Sequence, residues 1–217
     1  IPVERFVRRD AGVMQLRVES TGDGFGFVEA PAPDNLGHYV AVVEKDLGQR
    51  LPDGFASEVC LATSPWIGGM SHALREGVVF LFDYGVSRRE YYAPERADGW
   101  LRCHFRHFAH DDPLILPGIQ DLTAWVDFTS VATVAVAQGL EVAGYATQAQ
   151  FMLGGGLDAE MQDFGTLPIE EQVALSGKVK TLTLPGEMGE RFKVIALTRG
   201  IAGGWSGFRS RDLRERL

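Results

Sequence analysis

The sequence predicts an α/β fold: half of an open α/β sheet, preceded by a β-rich and partly helical segment. Three observations predict it. Five consecutive apolar residues, Val78-Val79-Phe80-Leu81-Phe82, run into Asp83-Tyr84-Gly85. A short unbroken run of this kind is the pattern of a parallel strand buried on both faces. After it, the order reads strand, long loop, helix, strand, helix, strand, which is half of an open sheet. Before it, residues 1 to about 45 carry short, partly alternating apolar runs among charges, the pattern of half-buried strands. The natural division is therefore a β-rich and helical segment over 1–76 and the sheet half over 77–217.

Each element has its own signal. Val3, Phe6, Val13, Leu16 and Val18 mark the opening strands, and Gly22-Asp23-Gly24 marks a turn between them. Pro31 and Pro33 make an extended connection, because proline denies a sheet its donor. A short helix is expected over 36–50, ended by Leu51-Pro52-Asp53-Gly54. Helical spacing of Ala56, Val59, Cys60, Ala62, Trp66, Ile67, Met70 and Leu74 predicts one or two helices over 55–75, interrupted near Pro65. Residues 86–118 lack periodicity and read as a long loop, a common place for function. A helix is expected over 121–139, with Asp121 as its N-cap and Gly139 as its stop. A strand follows around Val142 to Tyr145, then a polar helix over 168–182, a final strand over 191–198, and an exposed tail rich in Gly and Arg.

Composition narrows the class of function. The chain has 217 residues, 45% hydrophobic and 23% charged, enough to bury a core. A formal net charge of −8 argues against a nucleic-acid binder, which needs clustered Lys and Arg. No stretch approaches the roughly twenty apolar residues of a membrane span. Cys60 and Cys103 form no Cys-x-x-Cys pair, so a reducing compartment is expected. His104 and His107 lie three apart with Arg102 and Arg106 interleaved, too few convergent ligands for a metal site. No Gly-x-Ser-x-Gly elbow suggests a hydrolase. The opening at Ile1-Pro2-Val3, without Met, reads as a truncated or processed product.

Several phrases occur in a specific order. They are Phe82-Asp83-Tyr84-Gly85; Glu90-Tyr91-Tyr92; Pro94-Glu95-Arg96; Leu101-Arg102-Cys103-His104; Pro117-Gly118-Ile119-Gln120-Asp121-Leu122-Thr123-Ala124-Trp125; Gly144-Tyr145-Ala146-Thr147-Gln148; and Met188-Gly189-Glu190-Arg191-Phe192-Lys193-Val194. Together they resemble the MidA family of S-adenosylmethionine-dependent methyltransferases of the class I, Rossmann-like fold. Mitochondrial members of that family assist complex I assembly and are implicated in symmetric dimethylation of a protein arginine. The resemblance implies S-adenosyl-L-methionine as cofactor and a protein substrate. It also implies residence in the bacterial cytoplasm or the mitochondrial matrix. Two family features are missing: neither the Gly-rich cofactor loop nor the ribose-binding acidic residue lies in this sequence. Gly154-Gly155-Gly156 and Gly22-Asp23-Gly24-Phe25-Gly26 read as plain turns. This fragment alone is therefore expected to be inactive, with an exposed strand edge that would suit a homodimer.

Methyl transfer to arginine asks the protein to orient a guanidinium and match its charge, which carboxylates do through bidentate hydrogen bonds. Asp83, Asp121 and Asp127 are the candidate carboxylates, Asp83 lying at a strand's carboxyl edge where open α/β sheets place ligands. Asp127 lies six residues beyond Asp121, roughly 240° around an ideal helix. The two cannot then point straight into one pocket. His104 is a candidate general base, and Tyr84 could stand near the adenosyl group. Gln120, Thr123 and Gln148 are candidates for substrate contact or for satisfying buried backbone. The competing class is a non-catalytic interaction or assembly-factor module.

Overall fold

A computed structural model describes residues 1–217. In chain order the elements are β1 (Glu4–Arg9), β2 (Gly12–Ser20), β3 (Phe25–Pro31), α1 (Asp34–Leu47), β4 (Ala56–Val59), α2 (Thr63–Ala73), β5 (Gly77–Val86), α3 (Arg88–Tyr91), β6 (Arg102–Phe105), β7 (Phe108–His110), β8 (Asp121–Thr123), β9 (Val126–Asp127), α4 (Phe128–Ala137), β10 (Glu141–Thr147), α5 (Gln148–Gly154), α6 (Leu157–Glu160), α7 (Ile169–Thr183), α8 (Met188–Arg191) and β11 (Phe192–Arg199). They fall into two compact units. The first holds residues 1–64 and 88–126, the second 65–87 and 127–217. The expected division after residue 76 falls inside the second unit, and residues 88–126 belong with the first.

The first unit is built on an antiparallel sheet in the order β3-β2-β1-β4. Helix α1 buries Leu36, Val40 and Val43, spaced four and three residues apart on one stripe. Its last turn closes on Gly48, whose N–H donates to the Glu44 and Lys45 carbonyls. Phe6, Val7, Leu51, Phe55 and Val59 complete the apolar interior of this unit. The Arg8 guanidinium ties β1 to α1 through a 2.8 Å bond to Glu44.

Three expectations fail in this unit. Residues 56–59 are a strand, not a helix: they pair with β1, and Ser57, Glu58 and Val59 are all buried. The helical spacing of this stretch is a coincidence of a strand buried on both faces. The stretch 86–118 is more ordered than a plain loop. It holds α3 and the β6–β7 hairpin, and β6 pairs again with β8 in a three-stranded sheet of order β7-β6-β8. That pairing takes Asp121 into a strand, so Asp121 caps no helix and the expected helix over 121–139 begins later.

The second unit carries a sheet of order β10-β11-β5-β9. The apolar run at β5 is a strand, as expected, but it pairs antiparallel with β11 and is only partly buried. The strand buried throughout is β11, in which Val194, Ile195, Ala196 and Leu197 are all inaccessible. Helix α2 begins at Thr63 and takes Pro65 into its first turn, where a missing N–H costs no hydrogen bond, so Pro65 does not interrupt it. Helix α4 starts at Phe128, and Asp127 is its cap. The Arg199 guanidinium holds the ends of α2 and α4 together by bonds to the carbonyls of Leu74 (3.0 Å) and Gln138 (2.8 Å). The tail is not simply exposed. Phe208 packs with Ala146, Val194 and Ala196, and the Leu213 amide donates to the Tyr145 carbonyl at 2.6 Å. No helix is long and apolar enough to cross a membrane.

Candidate functional site

Four of the candidate residues lie in the second unit. Asp83 and Tyr84 follow one another near the carboxyl end of β5, so their side chains take opposite faces of the sheet. The register sets Asp83 opposite Lys193 and Tyr84 opposite Phe192. Tyr84 leans on the Phe192 ring, centroids 3.9 Å apart. Asp83 accepts a 2.8 Å bond from the Tyr84 amide on one carboxylate oxygen. Desolvation pushes its carboxyl above the ordinary aspartate range, and the Tyr84 N–H offsets part of that rise. A partly buried carboxylate at a strand's end suits a cationic ligand, whose charge would bring it back to the ionised form. Asp127 does different work. Its Oδ1 accepts from the Ser130 amide at 3.1 Å and satisfies one of the first N–H groups of α4. Gln148 is buried, and its Nε2 donates to the Leu182 carbonyl at 2.9 Å, tying α5 to α7.

The other four lie in the first unit. The β6–β8 register places His104 directly opposite Asp121 and Arg102 opposite Thr123. These four side chains share one face of the small sheet, with Ala109 opposite His104 on the other side. His104 and Asp121 are both exposed, so the pair is open to a ligand from solvent. Gln120 instead holds its own loop together, donating through Nε2 to the carbonyls of Pro113 (3.0 Å) and Ile115.

Sequence reasoning missed a second group in the first unit. Glu58 is fully buried in β4, where its Oε2 accepts from the Trp100 amide at 2.8 Å and its Oε1 from Arg5 Nε at 3.1 Å. Burial pushes its carboxyl up more than these partners pull it down. Gly99 passes so close that a β-carbon there would stand 2.4 Å from Glu58 Oε2. The Arg96 guanidinium lies 4.0 Å above the Trp100 ring. In front of this group opens a cleft of about 340 Å³ lined by Arg5, Glu95, Arg96, Asp98, Arg102 and Asp111. The available signal was a lone acidic residue, Glu58, between strand-like neighbours.

The second unit packs helices against its sheet, and its class, an α/β unit of the kind found in class I methyltransferases, follows from the solved structures it superposes on. The comparisons define the family. The model of the S-adenosyl-L-methionine-dependent methyltransferase family matches residues 1–146, and the chain belongs to that family. It is 31% identical over 149 residues to the mitochondrial protein arginine methyltransferase NDUFAF7 homolog of Drosophila melanogaster, a match covering 66% of this chain and 32% of that protein. It is 28% identical over 205 residues to the mitochondrial protein arginine methyltransferase NDUFAF7 of Mus musculus, covering 91% and 43%. It superposes with a TM-score of 0.88 and 31% identity on a crystal structure from Burkholderia thailandensis bound to S-adenosyl-homocysteine. That match covers 100% of this chain and 55% of the other. A native crystal structure from the same organism matches equally, with 57% of its chain covered. The chain thus spans less than half the length of the curated relatives and just over half of the solved ones.

The residues present do not by themselves make a cradle for the cofactor. A cradle of the family's kind needs glycines where a strand turns into a helix, so that backbone can approach the ligand. Here the turn from β4 to α2 is Cys60-Leu61-Ala62, and those into α4 and α5 carry Asp127 and Thr147 as caps. Gly154 to Gly156 end α5, and a β-carbon on Gly154 would stand 2.7 Å from the Ser206 carbonyl oxygen. That glycine serves packing.

Proposed function

We propose that this chain is the acceptor-side portion of an S-adenosylmethionine-dependent methyltransferase whose acceptor is a protein arginine. The observation that carries the proposal is the match of this whole chain to 55% of a structure bound to S-adenosyl-homocysteine, together with the partly desolvated Asp83 at the end of β5. In this reading Asp83 receives the acceptor guanidinium, with Tyr84 N–H fixing one of its oxygens and leaving the other to the ligand. In the first unit, taken by itself, His104 stands opposite Asp121 in the β6–β8 register with Thr123 on the same face, and these are separate candidates for proton acceptance and substrate contact. The cofactor's grip comes from residues of a parent protein as long as the relatives. The names of the relatives support a protein substrate and, in a eukaryotic cell, a mitochondrial location; a bacterial parent would act in the cytoplasm.

The test uses the parent-length protein with methyl-labelled cofactor and arginine-containing peptides. Asp83→Ala should reduce methyl transfer at least tenfold with an unchanged circular dichroism spectrum. Unchanged turnover in the folded variant removes Asp83 from the site. A second reading, a non-catalytic interaction or assembly-factor module, is favoured by one observation: the strand-to-helix turns described above carry no glycine cradle. It predicts that the parent-length protein neither binds S-adenosyl-homocysteine in a calorimeter nor transfers methyl groups.

A further inference from the structure

The cleft beside the buried Glu58 group lies wholly in the first unit and is lined by charge almost throughout: Arg5, Glu95, Arg96, Asp98, Arg102 and Asp111. Sites for small organic molecules are mostly apolar with a few polar groups, and about 340 Å³ is at the small end of their range. A cleft of this lining suits instead a charged side chain entering from solvent. Glu95, Arg96, Asp98 and Asp111 are all exposed.

These charges are unequally spent. Arg5 Nε bonds Glu58 at 3.1 Å, and a terminal nitrogen of Arg5 donates to the Asp98 carbonyl at 3.3 Å. Arg102 pairs with Asp111 at 3.2 Å and donates to the Leu101 carbonyl at 2.9 Å. The side chains of Glu95, Arg96 and Asp98 make no hydrogen bond or ion pair within the chain. Arg96 is nevertheless held in place, because its guanidinium rests 4.0 Å over the Trp100 ring and that ring is fixed. The Trp100 amide donates to Glu58 Oε2 and its Nε1 to the Tyr91 carbonyl, each at 2.8 Å, and the indole stacks on Trp125 with centroids 4.2 Å apart. The Gly99 amide closes a turn onto the Arg96 carbonyl at 2.9 Å, in a left-handed conformation that glycine permits. A guanidinium stacked on a rigid ring keeps its in-plane N–H groups for a carboxylate, which it takes through two parallel bonds.

We propose that this cleft binds an acidic residue of a polypeptide flanked by basic residues, with Arg96 taking the carboxylate and Glu95 and Asp98 taking the flanking cations. The unspent charges are one guanidinium and two carboxylates, and their complement is one carboxylate between two cations. A phosphate group fits worse, because its larger negative charge would face the same two carboxylates. Glu58 is a positioning residue for this cleft: it holds Trp100 beneath Arg96 and, through Arg5, the Asp98 backbone. The inference stands on the first unit alone and does not depend on what Asp83 does.

The test is fluorescence anisotropy of labelled, end-capped tripeptides with the parent-length protein at low salt. Lys-Glu-Lys should bind about tenfold tighter than Lys-Gln-Lys. Arg96→Gln should remove that preference without changing the circular dichroism spectrum, and Arg96→Lys should restore little of it, since an ammonium offers no planar fork. Arg96→Glu should reverse it, favouring Lys-Lys-Lys over Lys-Glu-Lys. S-adenosyl-homocysteine, which also carries a carboxylate and an ammonium, should not displace the peptide. Equal binding of the glutamate and glutamine peptides overturns the proposal, as does no binding of either. So does a preference that survives Arg96→Gln, displacement by S-adenosyl-homocysteine, or binding by the 217-residue chain that the parent-length protein lacks. Every readout is binding, so a failure of methyl transfer would count against the reading of Asp83 and not against this one.

Discussion

Replacing Gly99 with alanine tests the buried Glu58 group most sharply. Gly99 sits at φ +81°, and a β-carbon there would lie 2.4, 2.5 and 2.7 Å from Oε2, Oε1 and Cδ of Glu58. Two costs follow. Alanine in the left-handed region costs about 1 kcal/mol. The larger cost comes from pushing the carboxylate off the Trp100 amide and Arg5, which leaves a buried charge without partners, about 3 kcal/mol. The sum, about 4 kcal/mol, is a large share of the stability of an ordinary domain. Urea denaturation followed by tryptophan fluorescence and circular dichroism measures it. In a Glu58→Ala background the obstructing carboxylate is gone, and the same Gly99→Ala change should cost only about 1 kcal/mol. Equal costs in the two backgrounds would refute the reasoning, as would a single variant within about 0.5 kcal/mol of wild type.

Three further outcomes follow from the same structure. Glu58 has a folded-state pKa above its ordinary value of 4.5, so its contribution to stability is fully present below that value and lost as pH rises through the raised one. Glu58→Gln should therefore flatten the fall in stability on going from acid to neutral pH; thermal melts with an unchanged pH slope would contradict this. Asp127→Ala removes the cap of α4 and should cost about 1 to 2 kcal/mol in chemical denaturation, whereas Asp121→Ala, at an exposed strand position, should cost less than about 0.5 kcal/mol. In the parent-length protein the acidic limb of the rate profile should lie above the usual aspartate range, because Asp83 is raised, and should vanish in Asp83→Asn; a limb that persists assigns it to another group.

What the sequence revealed depended on the length scale of the signal. The strands at β1, β5 and β11 and the helix α7 were legible because each carries its own period or apolar run. β4 was misread because a strand buried on both faces has no alternation to betray it, and Ala56 and Val59 happened to suit a helix. Asp121 and Asp127 exchanged roles for a non-local reason. Both are good caps, and only the pairing of Asp121 with His104 decides between them. The apolar run at β5 was read as parallel, yet an antiparallel neighbour arrives from residues more than a hundred positions later. The Glu58 group was invisible for the same reason. Its members, Arg5, Glu58, Gly99 and Trp100, meet only through the fold. By contrast, the family phrases between 77 and 200 pointed to a methyltransferase before any contact was known, and the family match bears that out.

The central claim is that these residues form the acceptor side of a protein arginine methyltransferase. The most direct measurement is methyl transfer by the parent-length protein from labelled cofactor to mitochondrial or bacterial protein extract, followed by acid hydrolysis and identification of the labelled amino acid. The account predicts label in methylated arginine, reduced at least tenfold by Asp83→Ala. Label confined to another amino acid, or no transfer by a protein that binds the cofactor, would contradict it.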